Sequence, residues 1–297
     1  MSAVSGEWTG VSGKRVVITG ATSGIGLAAA KQLAQLGADL AIVARSPERA
    51  AEAVVQISRG SPGGATPDVL IADLAVQAEV RQVAEEIARR YQRVQVLINN
   101  AGAMYTSRQL TPDGVERTWA VNHLAPFALT TLLLDLLQSS APARIITTSS
   151  AAHYNAQIPF DDLSAEHTYA NMGYRRYGES KLANILFTDE LARRLEGSGV
   201  TANCFHPGFV GTGFNHNNGG FMRLAMWLGE MFARRPDQGA ETLVWLADSP
   251  EVSQISGAYF VDKRTVRPSP AARDMDQAAR LWQVSQAMLA APASGRA

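Results

Sequence analysis

Residues 19–26 read Thr-Gly-Ala-Thr-Ser-Gly-Ile-Gly, and this stretch decides the fold. A run rich in Val and Ile, Arg15–Thr19, precedes it, and an Ala-rich segment with helical spacing follows. The three glycines lack the side chains that would keep a pyrophosphate from backbone N–H groups, and a helix beginning near Ile25 points its positive end at the anion. A purely structural glycine turn is the alternative. The strand before and the helix after favour a dinucleotide-binding turn.

Further apolar runs without in–out alternation predict strands that are buried on both faces. They are Leu40–Ala44, Val69–Ala72, Val94–Asn99, Arg144–Thr148, Thr201–Phe205 and Ala258–Val261. Segments with helical spacing separate them, for example Val76–Tyr91 and Leu182–Leu195. This alternation predicts an α/β fold: a single doubly wound (Rossmann) domain over residues 1–297, with a mostly parallel seven-stranded sheet and helices on both faces. The tail, residues 268–297, is expected to contain a short helix near Leu281–Leu289.

Composition excludes several classes of protein. The chain has 27 Lys and Arg against 27 Asp and Glu, and this zero net charge argues against a nucleic-acid partner. Its lone cysteine, Cys204, excludes a disulfide framework and fits a reducing compartment. No signal peptide or transmembrane span is read from the sequence, so we expect a soluble, cytoplasmic protein. The five histidines lack metal-ligand spacing, and no metal site is expected.

The end of the second predicted strand bears on the choice of dinucleotide. An NAD site usually places an acid there to hold the ribose 2′-hydroxyl, but this strand ends Val43-Ala44-Arg45-Ser46. The guanidinium of Arg45 can pair with a 2′-phosphate, although an exposed loop arginine is the alternative. We therefore predict NADP(H) as the cofactor.

Tyr177 and Lys181 lie four residues apart in a helical segment and so share one face. A phenol with a pKa of about 10 is a poor base at neutral pH, and a nearby ammonium is expected to lower that pKa. Tyr177 is then a candidate proton donor to an alkoxide in carbonyl reduction, with a surface Tyr–Lys pair as the alternative. The fifth strand ends Thr148-Ser149-Ser150, where a hydroxyl could hold a substrate oxygen. We favour Ser150 as the residue that holds the substrate oxygen, with Ser149 as the alternative.

The motifs and their order along the chain resemble those of the short-chain dehydrogenases/reductases, over roughly residues 12–262. The resemblance rests on the glycine turn, Asn99-Asn100-Ala101-Gly102, Tyr177-Gly178-Glu179-Ser180-Lys181, and Pro207-Gly208. Within this family the chain is similar to the retinol-dehydrogenase-like branch, on the segments Val121-Asn122-His123-Leu124, Ile158–Leu163 and Ser180–Asn184. The long spacing between Ser150 and Tyr177 also fits this branch. The conformation of the insert, residues 151–176, cannot be derived from the sequence.

The resemblance implies a catalytic set of Asn122, Ser150, Tyr177 and Lys181. Asn122 would support a water relay to the lysine, or else be a helix-terminus amide, while Lys181 would also hold the nicotinamide ribose. The cofactor contacts it implies are Gly20, Thr22, Ser23, Gly24, Ile25, Gly26, Arg45, Asp73, Leu74, Asn100, Ala101, Gly102, Tyr177, Lys181, Pro207, Gly208, Val210 and Thr212. Asp73 would contact the adenine and Thr212 the carboxamide. Family members often pair through the helices that contain Asn122 and Tyr177, which allows a homo-oligomer.

We therefore predict an oxidoreductase that transfers a hydride between NADP(H) and a small-molecule carbonyl or alcohol substrate, with Tyr177 as proton donor or acceptor. A sugar-nucleotide epimerase or dehydratase and a non-catalytic NADP(H)-sensing protein are the alternatives. The segment Phe221–Phe232, flanked by glycines, has nine apolar residues in twelve. We interpret it as part of a substrate lid at residues 209–235, which predicts a lipophilic aldehyde or ketone. A buried helix and a membrane-surface patch are the other interpretations.

Overall fold

The computed structural model describes residues 7–208 and 234–290, and one β-sheet lies at its centre. Its strand order is β3-β2-β1-β4-β5-β6-β7-β8, and every pair is parallel except the last. The strands are β1 (Arg15–Thr19), β2 (Asp39–Ala44), β3 (Asp68–Ile71), β4 (Val96–Asn99), β5 (Ala143–Thr148), β6 (Val200–His206), β7 (Tyr259–Val261) and β8 (Arg264–Thr265).

The seven predicted strands are confirmed, with ends that differ by one or two residues, but the predicted strand count is wrong by one. The additional strand, β8, has two residues and pairs antiparallel with β7. Asp262 and Lys263 make the turn between them with positive φ angles of 50° and 60°. Such tight hairpin turns usually carry Asn-Gly or Asp-Gly, so neither strand length nor turn residues signalled this hairpin.

Helices cover both faces of the sheet. They are α1 (Gly24–Gln35), α2 (Pro47–Ser58), α3 (Gln77–Arg90), α4 (Arg117–Trp119), α5 (Ala125–Leu132), α6 (Leu134–Ser139), α7 (Tyr174–Arg194), α8 (Pro236–Asp248) and α9 (Met275–Ala290). A π-helical turn, Ala120–Leu124, joins α4 to α5. The predicted helix in the tail is confirmed as α9, which is longer than expected.

Successive residues of β1 face opposite sides of the sheet, and both sides are buried. Val16 and Ile18 pack with α1, α2 and α8, whereas Val17 packs with α3, α5 and α7. Burial on both faces explains why the strand sequences show no in–out alternation. No helix in the described parts of the chain is long and apolar enough to span a membrane.

The strand order reverses between β1 and β4, because β1 pairs with β2 on one side and with β4 on the other. In open α/β sheets, ligands bind in the crevice at the carboxyl ends of the strands at this point. The glycine turn follows β1 there, and Asn100 follows β4. The topology thus places both motifs at the expected crevice.

Candidate active site

The glycine turn brings the start of α1 against the end of β1. Gly20 has a φ of +71°, and a Cβ on Gly26 would lie 2.1 Å from the Gly20 carbonyl oxygen. Any side chain at residue 26 would therefore push the helix away from the turn. The Ser23 side chain makes no capping hydrogen bond in the described structure, so it does not occupy the first N–H groups of α1. Free helix-start N–H groups beside glycine fit a bound phosphate.

Asn100 ties the glycine turn to the neighbouring strands. Its Nδ2 donates to the carbonyls of Thr19 (3.2 Å) and Gly20 (3.4 Å), and its Oδ1 accepts from the Thr148 hydroxyl (3.4 Å). The Thr19 hydroxyl accepts from the backbone N–H groups of Asn100 and Ala101, both at 3.0 Å. The predictions did not include Thr19, although a hydroxyl at the carboxyl end of β1 was the available signal.

Arg45 follows β2 at the same edge of the sheet. Its side chain is exposed and makes no hydrogen bond or ion pair with any residue in 7–208 or 234–290. Asp73 and Leu74 follow β3, and Asp73 Oδ1 accepts from the Ala75 N–H (2.9 Å). Pro207 and Gly208 follow β6. These predicted cofactor residues therefore all follow the carboxyl ends of strands.

Lys181 lies buried where α7 passes the end of β5. Its Nζ donates to the Thr148 carbonyl (3.1 Å) and is 5.4 Å from the centre of the Tyr177 ring. A Cβ on Gly102 would lie 3.4 Å from both Lys181 Nζ and Asn122 Oδ1. Gly102, Asn122, Tyr177 and Lys181, which belong to motifs far apart in the sequence, therefore lie close together in the structure.

Burial controls the protonation of this pair. It raises the pKa of Tyr177 to about 12, and a hydrogen bond from the Ser150 hydroxyl acts in the opposite direction. Burial lowers the pKa of Lys181 to about 8. The Tyr177 pKa therefore lies above its ordinary value, because loss of hydration penalises the phenolate. Lowering of this pKa by the ammonium stays a prediction. Tyr177 is therefore a neutral phenol at neutral pH.

The two serines at the end of β5 have different partners. Ser149 is buried and its hydroxyl donates to the Lys181 carbonyl (2.8 Å), which fastens β5 to α7. The Ser150 hydroxyl reaches Tyr177, and it also accepts from the Ala152 N–H (3.2 Å). The geometry therefore favours Ser150 over Ser149 as the side chain beside the tyrosine.

Asn122 lies inside the π-helical turn, and both N–H groups of its side-chain amide are used within the protein. Its Oδ1 accepts from the Ala103 N–H (2.7 Å), while Nδ2 donates to the Ala103 carbonyl (2.9 Å) and to Ser180 Oγ (3.0 Å). The side chain thus joins the loop after β4 to α7. Single π turns occur frequently at functional sites. The water relay remains a prediction.

Two residues beside the site were missed by the sequence analysis. His153 is fully buried three residues after Ser150, with Nδ1 2.7 Å from the Ser150 carbonyl oxygen. Arg176, next to Tyr177, forms buried ion pairs with Glu116 (2.9 Å) and Glu179 (3.1 Å). Their residue types gave no signal in the sequence, because arginine is mostly exposed and histidine is only intermediate in burial.

Some predictions lie outside the described residues. These are Val210, Thr212, the segment Phe221–Phe232 and all of the lid at 209–235 except its last two residues. Among the residues that are described, no cluster of His, Cys, Asp or Glu could hold a metal ion.

Comparison with known proteins agrees with the order of motifs. A sequence model described as short chain dehydrogenase matches residues 14–221. Mouse retinol dehydrogenase 14 is 42% identical over 292 residues, which cover 93% of this chain and 86% of that protein. A Streptomyces protein provisionally named a daunorubicin C-13 ketoreductase is 40% identical over 278 residues, which cover 94% of this chain and 93% of that protein.

Solved structures show the same architecture. An uncharacterised protein from Mycobacterium paratuberculosis superposes with a TM-score of 0.76 at 30% identity, covering 95% of each chain. A short chain dehydrogenase from Burkholderia cenocepacia in complex with NADP superposes with a TM-score of 0.66 at 28% identity, covering 89% of this chain and 99% of that one. The chain therefore belongs to the short-chain dehydrogenase family, and within that family it is similar to the retinol dehydrogenases.

Proposed function

We propose that this protein transfers a hydride between NADP(H) and a carbonyl or alcohol, with Tyr177 exchanging the proton. The observation that carries the proposal is the convergence of Ser150, Tyr177 and a buried Lys181 beside the glycine turn. A protein that only senses the nucleotide needs none of these proton-transfer groups. Membership of the short-chain dehydrogenase family does not favour the sugar-nucleotide alternative.

The residues at the crevice fit a dinucleotide phosphate. The backbone of residues 20–26 would hold the pyrophosphate, since Gly26 leaves room where a Cβ would collide with backbone. Arg45, exposed and unpaired among the described residues, would meet a 2′-phosphate. Asp73 and Leu74 would lie against the adenine, and Lys181 would hold the ribose. Bound NADPH would supply the hydride, and the complex of a structural neighbour with NADP supports this choice of cofactor.

The proton step follows from the state of Tyr177. With a pKa of about 12, its hydroxyl carries a proton at neutral pH and can donate it from Oη to an oxygen that gains negative charge. Ser150 would hold that oxygen by a hydrogen bond. The Lys181 ammonium, 5.4 Å from the ring centre, would stabilise the phenolate left behind. Hydride addition to carbon and proton addition to oxygen together give the alcohol.

The substrate we propose is a lipophilic aldehyde or ketone. Tyr174, which is 54% exposed, has its ring 6.5 Å from that of Tyr177, and Met172, two residues before it, is 59% exposed. The names of two relatives specify retinol and the C-13 ketone of daunorubicin, both with large carbon skeletons. The lid at 209–235 remains part of this proposal.

A series of carbonyl substrates tests the proposal. NADPH oxidation is measured with straight-chain aldehydes of increasing length and with small hydrophilic carbonyls. We expect kcat/KM to rise by up to about fourfold for each added methylene, the equivalent of ~0.8 kcal/mol of apolar burial. Equal activity on small hydrophilic carbonyls would show that the substrate class is wrong. NADPH binding without turnover of any carbonyl would instead support a sensor.

A further inference from the structure

His153 is held in one tautomer by two hydrogen bonds. Its Nε2 accepts from the backbone N–H of Ser269 (3.2 Å), because an amide N–H can only donate. The ring proton must therefore sit on Nδ1, which donates to the Ser150 carbonyl at 2.7 Å. Burial lowers the pKa of His153, which keeps the ring neutral at neutral pH. The titratable groups that face it are Tyr154, Tyr259 and His206.

The same histidine closes the turn that begins at Ser150. Residues Ala151–Asn155 form a 3-10 turn, in which the Ser150 carbonyl also accepts the His153 backbone N–H (3.2 Å). The Ser150 hydroxyl accepts from the Ala152 N–H (3.2 Å). The imidazole bond is the shortest of the three. Without it, the Ser150 carbonyl would keep only the longer bond from the His153 backbone N–H on this side.

This turn is also the spacer between Ser150 and Tyr177. A Cβ on Gly178 would lie 2.8 Å from the Ala152 carbonyl oxygen, so α7 packs directly on the turn at the residue after Tyr177. A shift of the turn therefore changes the distance between the Ser150 and Tyr177 hydroxyls. Displacements of about 1 Å in a reacting geometry can cost roughly a hundredfold in rate.

On its other side, His153 is attached to the segment between β8 and α9. Ser269 is buried, and its hydroxyl accepts from the Ala272 N–H (3.3 Å), which fixes the backbone that meets the ring. The Tyr259 ring packs on the imidazole at 5.1 Å between centres. This segment lies beyond residues 14–221, the part that matches the family.

We propose that His153 is a positioning residue that keeps Ser150 in register with Tyr177, and that the Ser269 backbone holds the histidine in place. The proposal rests on the proposed function, because Ser150 has its role there. It adds a residue that acts through Ser150 without touching the substrate, and it assigns the segment after β8 a part in catalysis.

Two conservative variants separate the two contacts of the ring. His153→Asn keeps an N–H near the position of Nδ1, and His153→Gln places an acceptor near the position of Nε2. We expect His153→Gln to lower kcat by roughly tenfold, the effect of one lost hydrogen bond amplified by misplacement. His153→Asn should recover most of that loss, and the Kd for NADPH, measured by fluorescence, should stay unchanged in both. His167→Gln, at an exposed histidine, is the control that should change neither kcat nor Tm.

A double-mutant cycle distinguishes a role of His153 in positioning Ser150 from a general role in stability. On a Ser150→Ala background, His153→Gln should have little further effect on kcat, since the side chain that it positions is gone. The proposal is overturned if His153→Gln lowers kcat as much on the Ser150→Ala background as in the wild type. It is also overturned if His153→Asn and His153→Gln lose equal kcat, in proportion to their loss of Tm.

The third measurement does not depend on turnover. Imidazole ¹⁵N NMR should show His153 protonated at Nδ1, and an Nε2-protonated ring would overturn the proposed contact. If no carbonyl is reduced by the wild-type protein, the proposed function fails and the tautomer still decides whether His153 holds Ser150.

Discussion

At the scale of single residues, Tyr177 is the group on which the proposed chemistry depends. Its phenol stays protonated because burial raises its pKa to about 12, and it has Ser150 as a hydrogen-bond partner. A neutral phenol beside a buried ammonium is suited to proton donation, and so to carbonyl reduction. In the oxidative direction the same tyrosine would first have to lose its proton against this burial.

Tyr177→Phe removes only the hydroxyl and keeps the ring. We expect kcat to fall by roughly 10²- to 10⁴-fold, the usual contribution of a general acid, while the Kd for NADPH changes little. Steady-state turnover and fluorescence titration measure the two quantities. Tyr174→Phe is a matched control on the same turn of α7, since its ring is exposed and lies 6.5 Å from Tyr177. A Tyr177→Phe enzyme with activity close to that of wild type contradicts the assignment.

Arg45 sets the choice of cofactor in the proposed function. A charge-assisted bond to a 2′-phosphate is worth on the order of 1.5–3 kcal/mol, so Arg45→Ala should raise the KM for NADPH by roughly tenfold or more. The KM for NADH should hardly change, because NADH lacks that phosphate. Arg59→Ala, at the exposed far end of α2, is the control. A wild-type enzyme that prefers NADH would remove the basis of this prediction.

At the scale of elements, α7 shows how a polar sequence becomes a buried helix. Its first two turns, Tyr174–Lys181, carry mostly polar residues, yet Arg176, Glu179 and Lys181 are buried. Ion pairs from Arg176 to Glu116 and Glu179 satisfy the charges there. Apolar periodicity detects the helix only from Leu182 onward, because those charged residues look like a solvated face in the sequence.

Helix α9 packs on α5 and α7 through an aromatic cluster. The Trp282 ring lies 4.9 Å from Phe127 and 5.9 Å from Phe187, and the Arg194 guanidinium lies 4.2 Å above it. His123 Nε2, next to Asn122, is 2.8 Å from Ser285 Oγ. The helix in the tail therefore buttresses the elements that carry Asn122 and Tyr177.

Trp282→Ala should remove most of this packing. Truncation of a buried aromatic residue to alanine costs about 3–5 kcal/mol, and we expect that loss in the free energy of unfolding from urea titration. Met275→Ala, at the exposed start of α9, should cost less than about 0.5 kcal/mol. Similar midpoints for both variants would mean that α9 adds little to stability.

At the scale of the whole molecule, the stability depends on pH through buried groups of opposite sign. Burial lowers the pKa of His123 to about 3, so the protein loses stability as the pH falls below the unfolded value of 6.5. Burial raises the pKa of Asp189 to about 7 from 3.8. The folded state holds the Asp189 proton more tightly than the unfolded state does. The contribution of this proton to folding stability is therefore complete below about pH 3.8 and is lost as the pH rises through 7.

Asp189→Asn removes the ionisation and keeps the shape. Asp189 has no hydrogen-bond or ion-pair partner in residues 7–208 and 234–290, so its charge above pH 7 is uncompensated there. We expect the variant to exceed wild type in unfolding free energy by about 1–2 kcal/mol at pH 8, discounted for partial exposure, and by only a small part of that at pH 4.5, which lies just above the unfolded pKa. Asp161→Asn, whose carboxylate is fully exposed, should show no such pH dependence. A constant difference between pH 4.5 and 8 would contradict the buried ionisation.

The sequence by itself determined the features that neighbouring residues encode. The glycine turn, the seven longer strands and the shared face of Tyr177 and Lys181 follow from glycine content, apolar runs and a spacing of four residues. The crevice follows from the order of strands and helices, because crossover handedness constrains the topology. These are local rules, and they hold wherever the segment later packs.

Only the tertiary structure decided which side chain faces which. Ser149 and Ser150 are neighbours of the same type, and contact with α7 alone assigns one to a backbone carbonyl and the other to Tyr177. The direction of the Tyr177 pKa and the contact between His153 and Ser269 also depend on packing. Burial and the pairing of residues more than a hundred positions apart arise when elements pack together, so no local pattern of residues contains them.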